Sequence, residues 1–265
     1  MRRSTLIPAV LAVLVLAACS KKDDPAAQSA ATGNAAASAA GDVWPAVGPL
    51  LAGSHSGGCT RTPQLDTVAA TITLDAGGKL TAPDISADMR KAQAISLTRD
   101  TAGGAVKVGA MVSMDVEKGP ILTLSDEGKP DGASAGIMRG EQLVSCPKGP
   151  PLDKLRSQPL YKTMARFVET PGVAVTCVSK ANPLEQKQAE FKLAGGMATL
   201  GGESFDLGRA ELETLSIVPG ENQVLYSVKL PGGKLMQVGY DMSGKLVALQ
   251  DGGESGLVRG CSVET

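Results

Sequence analysis

The chain is short of the side chains that most chemistry needs. In 265 residues it has one histidine, one tryptophan, three tyrosines and three phenylalanines. A single imidazole deprives it of histidine-built metal sites and of most acid–base machinery, so no cofactor or metal is expected. Neither sign of charge dominates: 26 Lys and Arg stand against 27 Asp and Glu, for a formal net charge of −1. A nucleic-acid binder wants a basic surface and stacking rings, and this chain offers neither. So few rings also argue against a sugar-binding surface or a large lipid cavity. What is present is a 43% hydrophobic chain with 32 glycines, long enough for one or two domains with a real core.

The N-terminus reads MRRSTLIPAVLAVLVLAAC. Arg2 and Arg3 form a positive n-region, and Leu6 to Leu16 an apolar run too short for a permanent membrane span. The segment Leu16-Ala17-Ala18-Cys19 resembles the lipobox of bacterial lipoproteins. That resemblance implies Sec export and cleavage of residues 1–18 as a signal peptide. It also implies acylation of Cys19, so that the lipid bilayer is the first partner. Several acyl chains anchor firmly, at ~0.8 kcal/mol per buried CH₂. Ser20, rather than Asp, follows the Cys, which by the same resemblance favours the outer membrane, facing the periplasm. Residues 19–41 then hold the lipidated Cys and a stretch with no large apolar residue, which reads as a flexible tether. Its mean reach as a coil is roughly 25–28 Å.

With Cys19 acylated, Cys59, Cys146, Cys177 and Cys261 remain, an even count that implies disulfides in an exported chain. A repeat suggests how they pair. Cys59 precedes Leu74-Asp75-Ala76-Gly77-Gly78 as Cys177 precedes Lys192-Leu193-Ala194-Gly195-Gly196, and Asp84-Ile85 recurs as Asp206-Leu207. The run Leu124 to Lys129 is echoed by Tyr240 to Lys245, and Gly136 to Gly140 by Gly256 to Gly260. Offsets near 118 residues in one order predict two tandem homologous units, 42–150 and 151–265. Duplication then pairs Cys59 with Cys146 and Cys177 with Cys261, one bridge inside each unit.

The fold class expected is mainly β, with antiparallel meanders. Alternating segments run over 67–75, 106–115, 121–125, 188–193, 224–230, 234–241 and 245–249, with glycine-rich turns between them. A short helix opens each unit: Trp44 to Leu51 in the first, and in the second a segment capped by Ser157 that places Leu160, Met164, Phe167 and Val168 on one stripe. Ser86 to Gln93 is expected as a third short helix.

Apparent catalytic motifs weigh little. Gly132 to Gly136 fits G-x-S-x-G, but no helix follows it and the only histidine, His55, lies upstream. Ser145 and Lys148 have S-x-x-K spacing without the companion motifs, and 126–132 lacks the ligand alternation of a calcium loop. His55, in a polar Gly-Ser loop, is read as a surface residue and the one tentative site candidate. Arg139 and Arg259, before the closing cysteines, are read as fold requirements. Together these readings lead to a non-enzymatic envelope lipoprotein that binds or scaffolds, with another envelope protein as the expected partner. The alternatives are a carrier of a small apolar ligand, an inhibitor of an envelope hydrolase, or an unrecognised enzyme.

Overall fold

A computed structural model describes residues 43–115, 118–129, 132–165, 170–254 and 256–263. The signal peptide, Cys19 and the tether lie outside the described residues, as do Phe167 and Val168. The first half opens with α1 (Trp44–Leu51), β1 (Gly53–His55), β2 (Cys59–Thr62), β3 (Asp66–Val68), β4 (Ile72–Leu74), β5 (Lys79–Ala82) and β6 (Ile85–Asp88). It continues through β7 (Ala94–Asp100), β8 (Lys107–Ser113), β9 (Ile121–Asp126), β10 (Ser134–Arg139) and β11 (Gln142–Cys146). The second half begins with α2 (Asp153–Ser157), α3 (Leu160–Met164), β12 (Thr170–Ser179), β13 (Asn182–Ala194), β14 (Met197–Leu200) and β15 (Glu203–Asp206). It closes with β16 (Leu212–Val218), β17 (Gln223–Lys229), β18 (Leu235–Tyr240), β19 (Leu246–Gly253) and β20 (Gly256–Val263).

The protein is mainly β, and named strands pair antiparallel. One sheet has 16 strands, in the order β15-β14-β13-β12-β20-β19-β18-β17-β16-β7-β8-β9-β10-β11-β2-β3. A second has four, in the order β1-β4-β5-β6. Alternation builds the strands: in β16 Glu213, Leu215 and Ile217 point inward, and in β17 Val224, Tyr226 and Val228 do. Short glycine turns keep neighbours in sequence next to each other in the sheet, as hairpins require.

At the centre of the large sheet, β7 lies against β16 with Leu97 opposite Leu215 and Ile95 opposite Ile217. Two places along the same register bring Arg99 opposite Glu213. Glu213 is fully buried. It receives hydrogen bonds from the Tyr226 hydroxyl (2.9 Å), the Tyr161 backbone N–H (3.2 Å) and Arg99 (3.2 Å). Burial raises the Glu213 carboxyl, and these donors pull it back. Arg99 also donates from Nε to the Arg156 carbonyl (3.1 Å), while Asp126, equally buried, accepts from the Leu152 N–H (2.9 Å). The α2–α3 segment between the halves is thereby fastened to β9 and to the central strands.

The expected bridges are present: Cys59 joins Cys146 and Cys177 joins Cys261. Cys177 lies directly opposite Cys261 in the β12–β20 ladder, and the β2–β11 register brings Cys59 to the same relation with Cys146. Each half runs outward from the centre in one strand sequence, β7-β8-β9-β10-β11-β2-β3 on one side and β16-β17-β18-β19-β20-β12-β13 on the other. Local devices recur too. Asp88 and Asp206 each cap a single 3₁₀ turn, Met89 N–H donates to the Gly78 carbonyl, and Leu207 N–H donates to the Gly196 carbonyl. Trp44 packs on Gly78 and Tyr161 on Gly196, where an added Cβ would lie within about 3 Å of the ring.

Several expectations are corrected. Ser86 to Gln93 is strand β6 followed by one 3₁₀ turn, because pairing with β5 and the Asp88 cap override the local helix signal. The segment 67–75 is two strands, β3 and β4, in different sheets. Ser157 ends α2 instead of capping a helix, and Pro159 stands at the N-cap of α3. It is Asp88, not Asp84, that caps a 3₁₀ turn as Asp206 does; Asp84 takes a positive φ of 57° in the β5–β6 turn. Arg139 ends β10, whereas Arg259 lies inside β20, so the two arginines do not occupy matching places.

Two tests follow from this seam. Replacing Cys59 and Cys146 together by Ser should cost about 4–5 kcal/mol by loop-closure entropy for bridges of this span. Because β7 and β16 share one sheet, calorimetry should still show a single transition; two separate melts would contradict a shared core. Arg99→Met leaves Glu213 buried beside fewer donors and should cost about 3–5 kcal/mol in chemical denaturation.

Candidate functional site

β12 and β13 are the longest pair in the molecule, and they curl with β14 and β15 so that Glu203 of β15 meets Arg259 of β20 (3.5 Å). The curl encloses a cleft of about 510 Å³. One wall is Cys177 and Ser179 of β12 with Glu185, Lys187 and Ala189 of β13; another is Asp251 and Arg259. Gly201, Glu203, Phe205 and Lys234 face them.

The charges in this cleft are mutually engaged. Asp251 and Arg259 are cross-strand partners, and two hydrogen bonds join them: Arg259 Nε to Asp251 Oδ1 at 2.8 Å, and Arg259 Nη2 to Asp251 Oδ2. The Asp251 carboxylate, only 5% exposed, raises the Arg259 guanidinium further above its usual value. Lys187 Nζ lies 3.1 Å from Glu185, which Asn182 also contacts (2.9 Å); the lysine holds the Glu185 carboxyl below its usual value. The Lys234 ammonium stands 5.7 Å from the centroid of the buried Phe205 ring, a cation–π contact. Such a cleft presents paired positive and negative groups over an apolar floor. It suits a polar, extended ligand with both charges better than an oily one.

His55, expected at the surface, is buried: 1% of it is exposed. It ends β1, opposite Ile72 of β4, and Gly149 presses on its ring so closely that a Cβ there would lie 2.0 Å from Nδ1. The clasp is held by reciprocal backbone hydrogen bonds between Ser56 and Lys148. Nδ1 contacts the Ala133 carbonyl at 3.3 Å, and Nε2 has no partner among the described residues. The structure thus brings His55 to the Gly132–Gly136 motif, but through a carbonyl; Ser134 Oγ donates instead to the Ser125 carbonyl (3.4 Å). Neither Ser145 nor Lys148 lines the cleft. Arg139 stands exposed on the far half. Of the residues singled out from sequence, the Cys177–Cys261 bridge and Arg259 adjoin the cleft; Asp251, Glu203, Phe205 and Lys234 were not singled out. Their one local signal is the strand alternation that turns Glu203 and Phe205 to the same side of β15.

Among the described residues no group of three or more His, Cys, Asp or Glu is placed to hold a metal, and no helix is long and apolar enough to cross a membrane. The chain matches no known protein family, no curated protein and no solved structure.

Desolvation lowers the His55 pKa below its ordinary 6.5, outweighing the opposite pull of the Ala133 carbonyl. The folded protein therefore keeps the ring neutral while the unfolded chain protonates it. That contribution is complete above pH 6.5 and is lost as pH falls from there towards the folded value. Denaturation free energies across pH 8 to 5 should decline below about 6.5, and His55→Gln should remove that slope.

Proposed function

We propose that this protein is a cell-envelope lipoprotein that binds an extended, charged segment of another envelope protein in the β12–β15 cleft, without catalysing a reaction. The lipobox-like Leu16 to Cys19, the tether over 20–41 and the two disulfides support an exported, oxidising setting, anchored through Cys19 at the periplasmic face of the outer membrane. The halves are read as two homologous units, 42–150 and 151–265, fused at the β7–β16 seam. The matching strand sequence and the recurring caps and glycine turns support this.

The observation that carries the binding reading is the cleft's engaged charge pairs. Asp251 is committed to Arg259 and Glu185 to Lys187, so the carboxylates serve recognition better than proton transfer. An apolar-ligand carrier is less well supported: the apolar depression around Leu212, Val228, Leu235, Met236 and Leu257 measures only about 180 Å³. Small-molecule sites usually begin at about 300 Å³.

Cross-linked capture with the anchored full chain from its own envelope tests the reading. A specific envelope protein should be recovered with the wild type, and Lys234→Glu should reduce its recovery about tenfold, since charge reversal in a cleft of paired charges opposes the ligand. Cys19→Ser should abolish palmitate incorporation and membrane association. Recovery of abundant envelope proteins alone would overturn the partner reading, and a bound small molecule in native mass spectrometry would turn it towards a carrier.

A further inference from the structure

The edge of β13 beside the cleft is open. β14 pairs with β13 only over Phe191 to Ala194, and the Gly201 N–H then caps the Glu190 carbonyl. From Gln188 back to Asn182 no strand occupies that side among the described residues, while β12 pairs with the other from Gln188 to Gln186 and again at Asn182, across a bulge over 183–185. The segment is exposed throughout, and Leu184 near its tip is 94% exposed. Hydrogen-bonding groups on one side of a strand recur at every second residue. Since the Glu190 carbonyl faces the β14 side and the β12–β13 ladder is unbroken from Val178–Gln186 to Val173–Phe191, the N–H and C=O of Gln186 and Gln188 face the open side.

We infer that this edge pairs antiparallel with the same edge of a second copy, with Gln186 on the twofold axis. In that register Gln186 exchanges two backbone hydrogen bonds with its counterpart. The flanking non-hydrogen-bonded pairs, where side chains come closest, place Glu185 opposite the partner's Lys187 and Lys187 opposite the partner's Glu185. The sequence is self-complementary only there: sliding one step either way sets Glu185 against Glu185, or Lys187 against Lys187, at the axis. The charges that blunt the edge towards other strands thus select a second copy of this one. The partner's tip would run towards Gly201 and Gly202, where an added Cβ would meet only the Ala189 Cβ at 3.6 Å, an ordinary contact, and nothing within 4 Å respectively. Because Glu185 and Lys187 line the cleft, each cleft in the dimer is completed by charges from the other copy.

The inference rests on the strand edge alone and stands apart from the envelope-partner reading. Sedimentation of the full chain carrying Cys19→Ser, which dispenses with detergent, should show a monomer–dimer equilibrium between about 10 µM and 1 mM, weakened by salt. Lys187→Glu should raise the dimer Kd at least about tenfold, and the double swap Glu185→Lys with Lys187→Glu should return it to within about threefold of wild type. Both side chains are at least half exposed, so the variants should keep the wild-type circular dichroism. A wild type monomeric to 1 mM, an unaffected Lys187→Glu dimer, or a double swap that fails to restore association would each overturn the pairing.

Discussion

The structure depends on the pairing of β7 with β16. Among the described residues those two strands are the only link between the halves within the large sheet, and Leu97 opposite Leu215 sets their register. Slipping by one residue would turn Leu97, Ile95, Leu215 and Ile217 out of the core and bring their polar neighbours in. The Arg99–Glu213 pair adds a penalty to such a slip, because a carboxylate buried that deeply is tolerated only beside its donors. Glu213 also takes the Tyr161 N–H and Arg99 takes the Arg156 carbonyl. One ionic pair therefore positions the central strands and the connecting helices together. Glu213 is satisfied through three different elements, so it specifies arrangement more than it contributes net stability.

The two ends of the large sheet differ where β12 and β13 run long. Among residues 53–74 the strands are interrupted twice. Ser56 to Gly58 separates β1 from β2, and Ala69 to Thr71 separates β3 from β4, so β1 and β4 join β5 and β6 in a separate sheet. Gly57 and Gly58 supply the positive φ angles of the first break. The freed β1 is pinned by Lys148, and His55 fills the interior under Gly149. Without such breaks, β12 and β13 stay in the large sheet, and the curl that ends at Glu203 and Arg259 leaves a cleft. Interruption closes one half and continuity opens the other.

Much of the fold was legible in the sequence because its signals were local. Alternation gave many strands, paired glycines gave the turns at Gly77-Gly78 and Gly195-Gly196, and the near-constant offset gave the disulfide pairing now seen. The seam strands escaped notice although they alternate as clearly as the others. Ala94 to Asp100 follows a helix-like stretch, and in Leu212 to Val218 a buried Glu213 stands where an apolar residue would be expected. His55 was misread because nothing nearby in sequence announces Gly149 or the Ala133 carbonyl that enclose it. The cleft was out of reach for the same reason: Glu203 and Arg259 are 56 residues apart, and only the curl of the sheet unites them. Arg139 and Arg259 look alike in a Gly-x-x-Arg-Gly frame, yet chain direction sets one at the end of β10 and the other within β20.

The proposed tether and the open edge would bear on each other through concentration. A short, regular strand pair of a few residues gives weak association in free solution, since few hydrogen bonds and two exposed ion pairs must offset the entropy of docking. If the chain is held by its first residues on a membrane, as proposed, it would meet other copies in a thin layer. There a linker reaching roughly 25–28 Å would keep them at high effective concentration. The same reach orients little, so the register must come from the strand itself, and the alternation of Glu185 and Lys187 about Gln186 supplies it. Weak affinity then has a use: copies separate easily when dilute and pair when crowded. The cleft would gain its second set of charges only where the protein is dense.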